Sequence, residues 1–120
     1  MIKGAIEARE RAYAPYSNFH VGAALLANNK IFTGCNIENA SYSLTICAER
    51  VAAASAIIDG AKNFKEIAIA SDGEDFIVPC GACLQFLGEF AEDMKIILVN
   101  NEGESKVTSL KELLPAPFSL

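Results

Sequence analysis

The sequence has little that would suit a polyanionic partner. Its 10 Lys and Arg stand against 15 Asp and Glu, a formal net charge of −5. No basic cluster is present to neutralise phosphates, so nucleic acid is not an expected partner. Long apolar runs are also missing. None reaches the roughly 18 to 20 residues of a membrane span. Lys3, Glu7, Arg9 and Glu10 interrupt the opening segment where a signal peptide would be apolar. The expected location is the cytoplasm, with no membrane partner. There is a single histidine, His20, which removes any Cys-His catalysis that needs another well-placed imidazole, and its setting in "NFHVGAALL" reads as structural. No long polar tract occurs, and 52% hydrophobic with 21% charged residues belongs to a chain that buries a core. A length of 120 residues leaves no room for a second core, so one domain, 1–120, is expected. Chains this short keep much surface exposed, and the apolar excess suggests cover by other subunits.

What is present is an alternation of helical and extended patterns. Residues 2–13, with Ile2, Ala5, Ile6, Arg9 and Tyr13 in helical spacing, predict a helix that ends at the turn "APYSN". "HVGAALLA" and "KIFTGCN", on either side of Asn28 and Asn29, predict a β-hairpin. "NIENASYSLT" is too polar for a core element and predicts a surface loop that carries binding groups. From Cys47 to about Asp59 runs a helix apolar on nearly every face, stopped by Gly60, which must be covered on more than one side. "KEIAIAS" predicts a strand, "SDGED" a loop, and "GACLQFLGEFAED" a helix with Cys83, Phe86, Leu87, Phe90 and Ala91 on one stripe. "KIILVN" predicts a strand, "EGES" a turn and "SLKELLP" a short helix before "APFSL". This alternation predicts an α/β fold, a three-layer α-β-α domain with a mixed central sheet.

Four cysteines stand at 35, 47, 80 and 83. In a reducing compartment they point to metal or catalysis more than to disulfides. The two-residue spacing of Cys80 and Cys83 in "PCGAC" lets both thiolates reach one ion at a helix start, but by itself it fits three readings. These are a redox pair, a structural zinc site with Cys35 as fourth ligand, and inert core thiols. Cys47-Ala48-Glu49 separates them. With "PCGAC", it resembles the zinc deaminase arrangement, in which three side chains bind the ion and a glutamate two residues from one ligand stays unligated.

The chemistry accounts for those residue types. Three protein ligands, Cys47, Cys80 and Cys83, leave the fourth tetrahedral position open for water. Zinc brings the pKa of water from about 15.7 to about 7, and Glu49 can accept a proton and return it to the substrate. Three thiolates exceed the charge of Zn²⁺ by one and weaken its acidity. Two helix N-termini and Arg50 offset that excess.

On these motifs the chain resembles the small homotetrameric, zinc-dependent cytidine deaminases of nucleoside salvage. The likeness covers almost its whole length, in "YAPYSNFHVGAALL", "GCNIENASYS", "CAER", "PCGAC" and "ELLPAPFSL". It implies one zinc per chain, a nucleoside substrate, and deamination of cytidine and deoxycytidine. It further implies that Asn36 and Glu38 take the ribose hydroxyl, that Phe19 lies beside the base, and that Ala48 contacts substrate. Phe118 would come from a neighbouring subunit against the pyrimidine, and Ala40 and Tyr42 would reach a nearby subunit's substrate.

Each transferred role has a plainer alternative. Glu38 would repel a phosphate, which suits a free nucleoside, but it could be a solvated loop acid. Asn36 could stabilise its own turn, Phe19 and Phe118 could be core residues, and Arg50 an exposed helix residue. Cys35 reads as a small buried residue. In one respect the chain departs from the family, because Leu84 stands where many relatives carry an arginine after the last ligand, which leaves more of the charge compensation to Arg50 and the helix ends. The same scaffold could also act on another aminated base or nucleoside, and a non-catalytic zinc module is the rival of a different class.

Overall fold

The structure is a computed structural model and describes residues 1–120. A five-stranded mixed sheet forms its middle layer. In chain order the strands are β1 (Val21–Ala27), β2 (Lys30–Cys35), β3 (Phe64–Ser71), β4 (Lys95–Val99) and β5 (Ser105–Ser109), and the spatial order is β2-β1-β3-β4-β5. Only β3 and β4 run parallel. The helices are α1 (Ile2–Arg9), α2 (Ala48–Ile58), α3 (Gly81–Gly88) and α4 (Leu110–Leu113). The expected three-layer α/β fold is therefore found.

Strand alternation sorts the core onto the two faces. Ala23, Leu25, Ile67, Ile69, Ile96 and Leu98 face the larger core, which also takes in Ala52, Ala53 and Ala56 of α2 and Leu84 and Leu87 of α3. Ala24, Ala68, Ala70, Ile97 and Val99 face the smaller core under Ala5 of α1. One glycine on each face lets a helix backbone touch the sheet. A Cβ at Gly22 would lie 2.1 Å from the Ala5 carbonyl oxygen, and one at Gly34 would lie 2.5 Å from the Ala52 nitrogen and 2.6 Å from the Ala48 oxygen. The seat of α1 thus depends on Gly22, and that of α2 on Gly34.

The hairpin forms at Asn28 and Asn29, whose φ values of 54° and 60° are the left-handed ones a two-residue type I′ turn requires. Other expectations need correction. The first helix stops at Arg9, not Tyr13. Tyr13 instead pairs with the segment after β2, its N–H donating to the Asn36 carbonyl at 3.0 Å and its own carbonyl accepting from Glu38 N–H at 2.8 Å. The helix after "PCGAC" ends at Gly88, which leaves Phe90 and Ala91 outside it. Phe90 still packs on Phe64, with ring centroids 5.1 Å apart. Residues 36–45 are the expected surface loop, exposed along most of their length, with the exception that Asn36 at its start is buried. Strand β5 was not anticipated. Its sequence SKVTS is exposed along most of its length, so it lacks the apolar alternation that marks a half-buried strand. The second helix is uncovered at its end, where Ile58 is 89% exposed. No helix is long and apolar enough to cross a membrane.

Candidate metal centre and active site

Two helix starts build the centre. Cys47 occupies the N-cap of α2 and Cys80 the N-cap of α3, both with extended backbone. Neither end has a side-chain cap, so the partial positive charge of the first-turn N–H groups favours thiolates there. Cys83 lies in the first turn of α3 and is fully buried. The sulfurs of Cys47, Cys80 and Cys83 all lie within 4.8 Å of one another. Thiolates 2.3 Å from a tetrahedral ion would be about 3.8 Å apart, so this soft donor set fits zinc with small adjustments. Cys35 is not in the cluster. Its register opposite Gly22 puts it on the α1 side of the sheet, which removes the four-cysteine structural site.

Among the protein groups alone, the electrostatics are uneven. The adjacent Cys83 thiol, with Arg50 donating from Nη2 to Cys47 Sγ at 3.3 Å, holds the Cys47 thiol down at about 5. The adjacent Cys47 thiol and, after it, burial push the Cys83 thiol up. Cys47, next to Cys83, in turn holds Arg50 firmly in its charged form. Arg50 Nε is buried with no hydrogen-bond partner. Leu84, by contrast, is buried in the main core. The chain thus offers Arg50 as the guanidinium at this centre.

Glu49, in the first turn of α2, is only 5% exposed, and none of the ion pairs involves it. Burial pushes its carboxyl up, and the Cys47 thiolate adds to the shift. Glu49, Cys47, Cys80, Ala48 and Asn36 line one cavity of about 240 Å³, closed by Val21, Ile46, Ile69, Ile77 and Val78. Such a volume suits a small planar ring, since pockets for drug-sized ligands start at about 300 Å³. A second hollow of about 400 Å³, lined by Tyr16, Ser17, Glu38 and Tyr42, shares Thr45 with the first. The largest hollow, about 490 Å³ between the start of β3 and the end of α3, shares no residue with either.

The remaining expected residues are placed as follows. Asn36 accepts from Val21 N–H and donates to the Phe19 carbonyl, both at 2.8 Å, so its amide ties the strand entry to the cavity wall. Phe19 is half-buried and lines neither hollow. Glu38 accepts from the Tyr16 and Ser17 N–H groups at 3.0 and 3.1 Å and from the Ser17 hydroxyl. The Ser17 hydroxyl chiefly holds its carboxyl below the usual range. Ala40 and Tyr42 are exposed, and Phe118 is 71% exposed. The aliphatic wall was missed from sequence. The apolar pair Ile77-Val78 just before "PCGAC" was the available signal.

His20 serves the frame of the site. Its N–H donates to Asp72 Oδ2 at 2.8 Å and its ring Nδ1 lies 2.7 Å from the same oxygen. Arg9 donates to the carbonyl of Ser71, a cavity residue, at 2.7 Å.

Three clustered sulfurs beside a buried acid match the three-ligand donor set of a catalytic zinc rather than the four-ligand set of a structural one, and so a metal-dependent enzyme. The particular family follows from comparison. The chain belongs to the family described as "Cytidine and deoxycytidylate deaminase zinc-binding region", which it matches over residues 1–100, and its metal is zinc. It is 48% identical to the cytidine deaminase of Sporosarcina psychrophila, over 99% of this chain and 89% of that protein. It is 49% identical to the probable cytidine deaminase of Dictyostelium discoideum, over 98% and 81%. The crystal structure of cytidine deaminase from Burkholderia pseudomallei superposes with a TM-score of 0.93 at 49% identity, covering 98% of this chain and 95% of that one.

Proposed function

We propose that this chain, acting as a single catalytic domain, deaminates cytidine and deoxycytidine to uridine and deoxyuridine with release of ammonia. The observation that carries the reading is the buried Glu49 carboxylate sharing one cavity with the Cys47 and Cys80 thiols. Likeness to cytidine deaminases along the whole chain supports it.

Cys47, Cys80 and Cys83 hold the ion. Bound zinc supplies a Lewis acid that brings the pKa of water from about 15.7 to about 7. Glu49 handles the protons. The water oxygen bonds to C4 of the base while Glu49 accepts a proton and delivers it to the ring N3. The second proton then passes through Glu49 to the amino group, the C4–N bond breaks, and ammonia leaves. A carboxyl raised by burial suits both halves of this task, because a shuttle works best with a pKa near the operating pH. Arg50 offsets the thiolate excess.

The aliphatic cavity takes the base, with Ala48 and Phe19 beside it. Asn36 and Glu38 serve the sugar hydroxyl. Glu38 already accepts three hydrogen bonds, so it meets the sugar as a preoriented carboxylate. The working form is a homotetramer with shared sites. Exposed Tyr13, Tyr16, Ile37, Tyr42, Leu44 and Ile46 supply apolar surface that a neighbouring chain would cover. Phe118, Tyr42 and Ala40 reach a neighbour's substrate. The four unlinked cysteines suit a reducing cytoplasm.

The test follows the absorbance of cytidine with zinc-loaded and chelator-stripped protein. Zinc-dependent conversion to uridine is expected. No conversion by protein that carries one zinc per chain would overturn the reading in favour of another aminated base.

A further inference from the structure

The last six residues, 115–120, are all exposed and form no helix or strand. The chain there contains Pro115 and Pro117, which lack N–H donors, and proline also restricts the residue before it to extended conformations. The tail is stiffened by its prolines, bends at Pro115 and Ala116, and has almost nothing to hold it. It is held at one point. Gln85 Nε2 donates to the Phe118 carbonyl at 2.9 Å, and Phe118 N–H donates to Gln85 Oε1 at 3.0 Å. No other hydrogen bond reaches residues 115–120.

The side-chain amide thus meets both backbone groups of one residue, as an adjacent strand would. Glutamine suits this place chemically. Glutamate would keep the acceptor and lose the donor, and methionine would keep the shape and lose both. The anchor behind it is firm, because Gln85 follows Cys83 and Leu84 and precedes Leu87, all three buried. The backbone of Phe118 is consequently fixed to the helix that carries two of the three sulfurs, while its ring stays free for another molecule.

We infer that Gln85 is a positioning residue, which clamps the C-terminal tail so that the Phe118 ring stands ready for a neighbouring subunit's substrate. The inference rests on the proposed role of Phe118 against the pyrimidine. Gln85 itself touches no reacting atom and acts through the tail alone.

The experiment compares wild type, Gln85→Ala, Gln85→Met, a chain ending at Pro117, and that truncation combined with Gln85→Ala. Each is measured for KM and kcat with cytidine, zinc content, assembly by light scattering, and rate of C-terminal release by carboxypeptidase. With the clamp lost, KM rises at least about 5-fold, the lower end of the roughly 5- to 150-fold range that two neutral hydrogen bonds span, while zinc content and assembly stay unchanged. Carboxypeptidase attacks both full-length variants faster, and in the truncated chain Gln85→Ala adds nothing further. A Gln85→Ala effect that persists undiminished without the tail, or one accompanied by zinc loss, overturns the clamp and assigns Gln85 to α3 itself. A truncated chain with raised KM beside Gln85→Ala with ordinary KM and digestion overturns the clamp alone. Ordinary KM in the truncated chain overturns the role of Phe118, and the positioning role of Gln85 with it.

Discussion

Arg50 Nη2 lies 3.3 Å from Cys47 Sγ, while Arg50 Nε is buried without a partner. One guanidinium therefore donates to a centre of three sulfurs, and Leu84, in the core, adds no second one. Arg50→Gln is expected to keep the fold and lower metal affinity or kcat by about 10- to 100-fold, as loss of a group that supports metal ligands does. Zinc titration and turnover are the readouts. Near-normal turnover with zinc retained would show that the helix ends alone offset the thiolates.

Glu49 is buried beside the sulfurs without being one of the three clustered donors. Glu49→Gln preserves size and removes the proton carrier. Zinc content should stay at one per chain while kcat falls by at least about 10² to 10⁴. Metal analysis and single-turnover assays decide the matter, and ordinary turnover would end the shuttle role.

The two contact glycines should differ in their consequences. A Cβ at Gly34 would meet the α2 backbone at 2.5 Å, one turn from Cys47, whereas a Cβ at Gly22 would meet α1 on the other face. Overpacking costs about 1 to 3 kcal/mol and more when backbone must move. Both Gly34→Ala and Gly22→Ala should lower the unfolding midpoint. Only Gly34→Ala should also weaken zinc binding, because it displaces the helix that carries Cys47 and Glu49. Equal zinc affinity in the two variants would contradict this layering.

Asp72 carries a pH dependence. Burial pushes its carboxyl up, but hydrogen bonds from the His20 N–H and ring, with the charges of His20 and Arg9, hold it below the ordinary aspartate range. Because the folded value is the lower one, the stabilisation is fully present above the unfolded value of about 3.9 and fades as pH falls through the folded value. Asp72→Asn should therefore unfold at lower urea than wild type near pH 6, and the gap should close as pH drops below about 4. A gap that stays constant with pH would mean that the carboxylate charge is not what holds this corner.

Glu38→Gln keeps the length of the side chain and removes its charge. The Ser17 hydroxyl holds the carboxyl below the ordinary glutamate range, so the wild-type KM should show no transition from this group between about pH 5 and 8. The variant should raise KM for cytidine roughly tenfold, with little change in zinc content. A variant with unchanged KM would leave Glu38 as a brace for the turn at Tyr16 and Ser17.

The sequence alone determined the metal-binding family and the layer type. The clustered cysteines and the proposed acid come in two short blocks, Cys47 to Arg50 and Pro79 to Cys83, where helix geometry places residues two or three apart regardless of the rest of the fold. Alternating extended and helical patterns reported the three layers for the same reason, as each period is local. Tertiary structure decided which distant groups meet. The strand order β2-β1-β3-β4-β5, with β5 recruited by pairing despite its polar sequence, depends on backbone hydrogen bonds that side-chain patterns do not encode. The burial of Asn36 between Phe19 and Val21, the close seats at Gly22 and Gly34, and the hold of Gln85 on Phe118 also arise only on folding. They are contacts between segments far apart in sequence, and their free energy exists only after the chain has closed around them.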